Sequence, residues 1–226
     1  MKKMITFSIL LTCIFFLAGC TLFNTNTEDE FKEEKQIVGL LNSYSVEKTN
    51  GFDYALEQKM NSTIVYEHYV AIRLSLSEAT GSRVESKKTL NEDIENGQYT
   101  ELNATSYYKN NKIATYENDA WVWKDCTFGE FASVSINAFR IDVTKVKDMK
   151  LSHSGKYTIL SFKIDDQDIQ EFLGLDSSIK NLVIEIKTSG AIDQLVSFSM
   201  SYSQNLTSTN VIFTPYYGSA TIAIPE

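Results

Sequence analysis

The stretch Ser62–Glu78, STIVYEHYVAIRLSLSE, has a period of two. Its even positions are Ile64, Tyr66, His68, Val70, Ile72, Leu74 and Leu76. Its odd positions mix Val65, Tyr69 and Ala71 with Glu67, Arg73 and Ser75. Successive side chains of a strand point to opposite faces, so this spacing predicts a long strand with one apolar face. Upstream, FDYALEQKM places Phe52, Tyr54 and Leu56 on one face. The Asn61-Ser62 pair between the two runs reads as a hairpin turn.

The same device recurs downstream. GQYTELNATSYYKNNKIATYE reads as two strands joined near Asn110-Asn111, and DAWVWKD as a short strand with Trp121 and Trp123 on one face. MKLSHSGKYTILSFKI turns at Ser154-Gly155, after which Leu160, Phe162 and Ile164 alternate. The next hairpin turns at Ser189-Gly190, between Leu182, Ile184, Ile186 and Val196, Phe198, Met200, Tyr202. Glycine adopts the positive φ that tight turns need. VIFTPYY and SATIAIP are expected to be further strands, with Pro215 at an edge or a bend.

Three segments have helical spacing instead. Ile37, Val38, Leu40 and Leu41 share one face of a short helix over 32–43. Phe131, Val134, Ala138 and Phe139 predict a second helix. Ile169, Phe172 and Leu173 predict a third, capped by Asp165 or Asp166 and stopped by Gly174. These helices alternate with hairpins, not with single strands, which disfavours parallel crossovers. The expected class is α+β: a large antiparallel sheet with two or three short helices packed on one face.

The chain opens MKKMITFSILLTCIFFLAGC. Lys2 and Lys3, an apolar run and the small residues Ala18 and Gly19 have the layout of a secretory signal. The apolar run is shorter than the roughly 20 residues a spanning helix wants. Leu17-Ala18-Gly19-Cys20 resembles the lipobox of bacterial lipoproteins. The resemblance implies cleavage before Cys20 and attachment of diacylglycerol to its thiol, with a third acyl chain in some bacteria. Two or more chains give stable anchoring where one does not. The expected organisation is a signal peptide over 1–19, a lipidated N-terminus and flexible tether over 20–34, and one domain over 35–226. The expected location is the extracytoplasmic side of the cell membrane, or the outer membrane of a two-membrane organism.

The formal charge of the chain is −8. Loss of Lys2 and Lys3 with the leader makes it more negative. This disfavours nucleic acid, whose phosphates are bound chiefly by Lys and Arg, and a polybasic grip on anionic lipid. Cys13 would leave with the leader and Cys20 would be acylated, so Cys126 has no intrachain disulfide partner. It reads as a buried inert thiol or as a reactive or intermolecular one. About 200 residues suffice for one core without disulfides.

The order of these parts, with its aromatic-rich Y107-Y108-K109-N110-N111-K112 turn, W121-V122-W123-K124 and D165-D166-Q167-D168-I169-Q170-E171-F172-L173, resembles the half-barrel lipoproteins of the outer-membrane lipoprotein-carrier type and their relatives in single-membrane bacteria. That resemblance implies a curved antiparallel sheet (a half-barrel) with helices on its concave face and apolar space between them that takes acyl chains.

The aromatic residues either fill the inner face of such a sheet or line a pocket. Candidate ligand-cavity residues are Tyr66, His68, Val70, Phe162 and Phe198. Candidate surface-contact residues are Tyr107, Tyr108, Tyr216 and Tyr217. His68, on an apolar face, reads as a hydrogen-bonded core or pocket histidine, and His153 as a turn residue. There is no G-x-S-x-G, no H-E-x-x-H and no phosphate-binding glycine loop. Asp165, Asp166 and Asp168 lack the glycine and closing Glu of a calcium loop, and helix capping accounts for them. No cofactor, no metal and no enzymatic activity is expected. Two functions stay open. One is a membrane-anchored lipoprotein that binds a lipid or other apolar ligand between sheet and helices. The other is an envelope structural or protein-interaction module with a filled core.

Overall fold

A computed structural model of the protein describes residues 27–45, 48–91, 98–133, 141, 146–164 and 178–225. Helix α1 spans Thr27–Asn42. Six strands follow: β1 (Gly51–Met60), β2 (Thr63–Ser75), β3 (Thr80–Leu90), β4 (Tyr99–Lys109), β5 (Lys112–Glu117) and β6 (Ala120–Asp125). Helix α2, Phe128–Phe131, precedes β7 (Val146–Ser154), β8 (Tyr157–Ile164), β9 (Ile179–Ser189), β10 (Leu195–Gln204) and β11 (Thr207–Pro215). Among the described residues, no helix is long and apolar enough to cross a membrane.

The eleven strands form one open antiparallel sheet, ordered β6-β5-β4-β3-β2-β1-β11-β10-β9-β8-β7. Every neighbour is also the next strand in sequence except at the centre, where β1 pairs with β11. Hairpins explain this order. Asn61 and Ser62, Asn110 and Asn111, and Asn118 and Asp119 all have positive φ, between 49° and 69°. Positive φ at both central residues marks the two-residue turn whose twist matches paired strands. The β7–β8 turn is Gly155-Lys156, one residue later than expected, with Gly155 at φ 59°.

Registers across the strands run the apolar rows together on one face. Tyr54 lies opposite Val70 and Phe213, Phe213 opposite Phe198, Phe198 opposite Ile186, and Ile186 opposite Leu160. All of these are buried. Ile37, Val38 and Leu41 of α1 join the same core. Full burial of each such side chain contributes roughly 1.5–3 kcal/mol. At the central seam, Gly51 has φ 130°, and a Cβ there would sit 2.0 Å from the Ile72 carbonyl oxygen.

Four features differ from expectation. β3 reads as no strand by apolar alternation, because its core-facing residues, set by pairing with β2, are Gly81, Arg83, Glu85, Lys87 and Thr89. Residues 219–225 form no strand. Both flanks of β11 are already taken by β1 and β10, so the chain leaving the sheet there has no edge to join. Pro215 therefore ends a central strand and not an edge one, and Tyr216 N–H continues to the Gly51 carbonyl at 2.8 Å. Helix α1 begins at Thr27, upstream of its apolar stripe. Cys20, the expected leader, the 134–139 part of the second expected helix and all of the helix expected over 165–173 lie outside the described residues.

Candidate functional site

The two halves of the core-facing surface differ in chemistry. Over β8–β11, β1 and β2 it is apolar and closely packed. Over β3–β5 it turns polar. Ile72 faces Arg83, Val70 faces Glu85 and His68 faces Lys87 across the β2–β3 pair. Glu85 gathers three cationic or potentially cationic groups. Lys87 Nζ lies 2.7 Å and His68 Nε2 2.8 Å from its Oε1. Arg83 donates through Nε and Nη2 to Oε2, at 3.2 and 3.1 Å. Desolvation by burial raises the Glu85 pKa, but Lys87, Arg83 and His68 together outweigh it and hold the carboxyl down at about 2.

Arg83 also donates through Nη1 to the carbonyls of Phe131, at 3.0 Å, and Ser133, at 2.7 Å. A short helix leaves its last carbonyls unsatisfied, and a guanidinium there offsets both the lost bonds and the dipole. At the other end, Thr127 and Glu130 form a reciprocal capping box. Phe131 is 1% exposed and stacks on Tyr108 with centroids 5.2 Å apart. Phe128 meets the same ring edge-on at 5.8 Å. One turn of helix is thus clamped onto the polar half of the sheet.

Two cavities flank that turn, and a third lies elsewhere on the sheet. The first, about 280 Å³, is lined by Leu74, Ser75, Leu76, Ala79, Thr80, Tyr108 and Phe128. Its walls are almost entirely apolar. Thr80 is 6% exposed, and its Oγ1 is buried without a hydrogen-bond partner. The second, about 550 Å³, reaches from Phe131 and Glu130 across Arg83, Glu85, Leu102, Ala104, Ser106 and Ile113. A third, about 390 Å³, lies over Ala55, Glu57, Glu67, Tyr69, Asn210 and Ile212, with Leu56 and His68 in its floor. Strand alternation puts it on the sheet face away from the core.

The expected cavity residues are divided between the packed core and the edge of the third cavity. Val70, Phe162 and Phe198 are at most 1% exposed and line none of these three cavities; they are core. Tyr66 and His68 are half-buried, and the His68 ring packs edge-on to Tyr54 at 5.7 Å. Among the expected surface tyrosines, Tyr108 is buried and its hydroxyl donates to Asn111 at 2.9 Å, which removes it from the surface set. Tyr107 packs on Trp121, whose ring also meets Tyr116. Arg73 lies 4.2 Å over the ring of Tyr216, and Tyr217 donates to the Leu195 carbonyl at 3.0 Å while remaining 40% exposed. Cys126 is half-buried against the core, and desolvation, followed by the Glu130 charge, pushes its thiol up.

Apolar patterning misses Leu74, Thr80, Tyr108 and Phe128 as one site, because they come from β2, β3, β4 and α2. The one sequence signal for the polar half is the same-face run Arg83, Glu85, Lys87, whose alternating charges support each other along a strand.

No family model matches the chain, and no curated protein matches its sequence. Among solved structures, LprF from Mycobacterium bovis is 15% identical over 86% of this chain and 97% of that one, with a TM-score of 0.47. The hypothetical protein CT021 from Chlamydia trachomatis is 13% identical over 81% and 98%, with a TM-score of 0.29.

Proposed function

We propose that the protein is an extracytoplasmic lipoprotein, anchored through acylated Cys20, that binds a lipid or other apolar ligand between its sheet and helices. In this reading the sheet bends as a half-barrel and the ligand space lies beside α2. The observation that carries it is the apolar cavity of about 280 Å³ bounded by Leu74, Leu76, Tyr108 and Phe128. Binding sites for small molecules are concave and mostly apolar, with few polar groups. The cavity lies where the core face is covered by a single helical turn. No reaction belongs to this reading. The full chain, purified in mild detergent and extracted with organic solvent, should release an apolar molecule detectable by mass spectrometry. Leu76→Asp, at a position 52% exposed, places a charge at the cavity wall and should abolish the capture without unfolding the chain. Equal capture by both chains would refute the reading.

A filled-core envelope module is the second reading. It is supported by the dense packing of Val70, Phe162 and Phe198 and by the aromatic group Tyr107, Trp121 and Tyr116, in which Tyr116 is 58% exposed. It expects Tyr116→Ser to lose an envelope partner that Leu76→Asp retains.

A further inference from the structure

One side of β4 is only half covered. β3 pairs with it along its whole length, from Tyr99 to Lys109. On the other side, β5 pairs only with Ser106 to Lys109, through Thr115 to Lys112. β5 stays with β6 as far as Glu117, so beyond Thr115 it parts from β4. The cavity of about 550 Å³ lies in that fork, with Leu102, Ala104 and Ser106 on one side and Ile113 and Tyr116 on the other. Among the described residues, no main-chain group bonds to 99–105 on the side away from β3. Alternate residues of an antiparallel strand direct both N–H and C=O to the same neighbour, so this stretch offers a row of unpaired donors and acceptors.

The other exposed edges of the sheet are blunted. β7 carries Lys147 and Lys150, shifts register between them, and holds Asp148 at φ 52°. β6 is six residues long and ends in Lys124-Asp125. Lysines, bulges and short length all hinder an edge from pairing with another chain. Residues 99–105, YTELNAT, have none of these devices: they hold no Lys, Arg or Pro and pair with β3 without a shift. All but Tyr99 are exposed, Leu102 by 57%.

The stretch is also complementary to itself. Two copies paired antiparallel about Leu102 set Leu102 against Leu102, Glu101 against Asn103, Thr100 against Ala104 and Tyr99 against Thr105. No like charges meet. The two leucines cover each other on the core-facing side, and Tyr99 with Thr105 is a favourable aromatic and β-branched pair. A centre one residue earlier would set Glu101 against Glu101. We infer that residues 99–105 of β4 pair with the same stretch of a second copy of this chain, joining two sheets edge to edge about a two-fold axis at Leu102. The partner's strand enters the space from which β5 has turned away. This association is independent of ligand binding.

The test is the oligomeric state of the full chain in mild detergent, by sedimentation velocity. The wild type should form dimers. Leu102→Lys places like charges opposite each other at an exposed position and should weaken association on the order of tenfold or more, with an unchanged circular dichroism spectrum. Cysteine trapping reads the register. In a Cys126→Ser background, Leu102→Cys should form an intermolecular disulfide under oxidised glutathione, because the two residues face each other. Thr100→Cys should not, because its copies lie four residues apart along the strands, beyond the roughly 7 Å limit between Cα atoms. A wild type that stays monomeric overturns the inference and leaves the edge to an extended segment of another protein. A Leu102→Lys chain that dimerises as the wild type does, or Thr100→Cys trapping as efficient as Leu102→Cys trapping, overturns it as well.

Discussion

Gly81 and Phe131 are in direct contact across the sheet–helix boundary: a Cβ on residue 81 would lie 2.7 Å from Phe131 Cε1. The same Cβ would lie 3.1 Å from Leu74 Cδ2. The missing side chain is the seat of the α2 ring. Gly81→Ala should push Phe131 off β3 and cost about 1–3 kcal/mol by overpacking. Urea denaturation measures the loss, and reduced ring packing around Tyr108 should appear in near-ultraviolet circular dichroism.

Arg83 ties the far end of α2 to the same strand. Arg83→Lys keeps the charge but lacks the planar fork that serves Glu85 and two carbonyls together. Amide hydrogen exchange at Phe131–Ser133 should speed up at least several-fold, with exchange in β8–β10 unchanged. Uniform acceleration throughout the sheet would show that Arg83 supports global stability and not the local clamp.

Glu85 makes stability depend on acid. Its folded-state pKa of about 2 lies below the ordinary 4.5. A depressed carboxylate contributes stability that is complete above the unfolded value and is lost as pH falls from about 4.5 toward 2. The stability difference between wild type and Glu85→Gln should therefore be largest near pH 6 and shrink across that window. Paired denaturation curves from pH 6 to pH 2.5 provide the check, and a difference that stays constant would contradict the assignment.

Phe198 and Tyr116 mark the contrast between a filled and an exposed aromatic. Phe198 is 1% exposed and Tyr116 is 58% exposed. Phe198→Ala should cost about 3–5 kcal/mol through lost burial and a residual cavity. Tyr116→Ser should cost less than about 1 kcal/mol, limited to its edge contact with Trp121. Calorimetric unfolding of the two variants tests both values.

The strands were readable where an apolar row had to be buried. Ile64 to Leu76 and Leu182 to Ile186 place an apolar residue at nearly every second position, and the pairs Asn61-Ser62 and Asn110-Asn111 supply residues that tolerate positive φ. β3 was unreadable for the opposite reason. Three of its core-facing residues, Arg83, Glu85 and Lys87, are charged, and they are satisfied by each other and by His68 and the Phe131 carbonyl, which come from other parts of the chain.

Local alternation and turn chemistry thus specified a largely antiparallel protein and named most of its inward-facing side chains, because both act between residues adjacent in the chain. Whether that inward face is full or hollow depends on how volumes from distant strands meet. Val70, Phe162 and Phe198 are each at most 1% exposed, whereas Leu74, Thr80, Tyr108 and Phe128 border open space. The joining of β1 to β11 belongs to the same class, since it brings the first and last strands together and no local pattern encodes it. Packing is a property of neighbours in space, and the chain order lists only neighbours along the backbone.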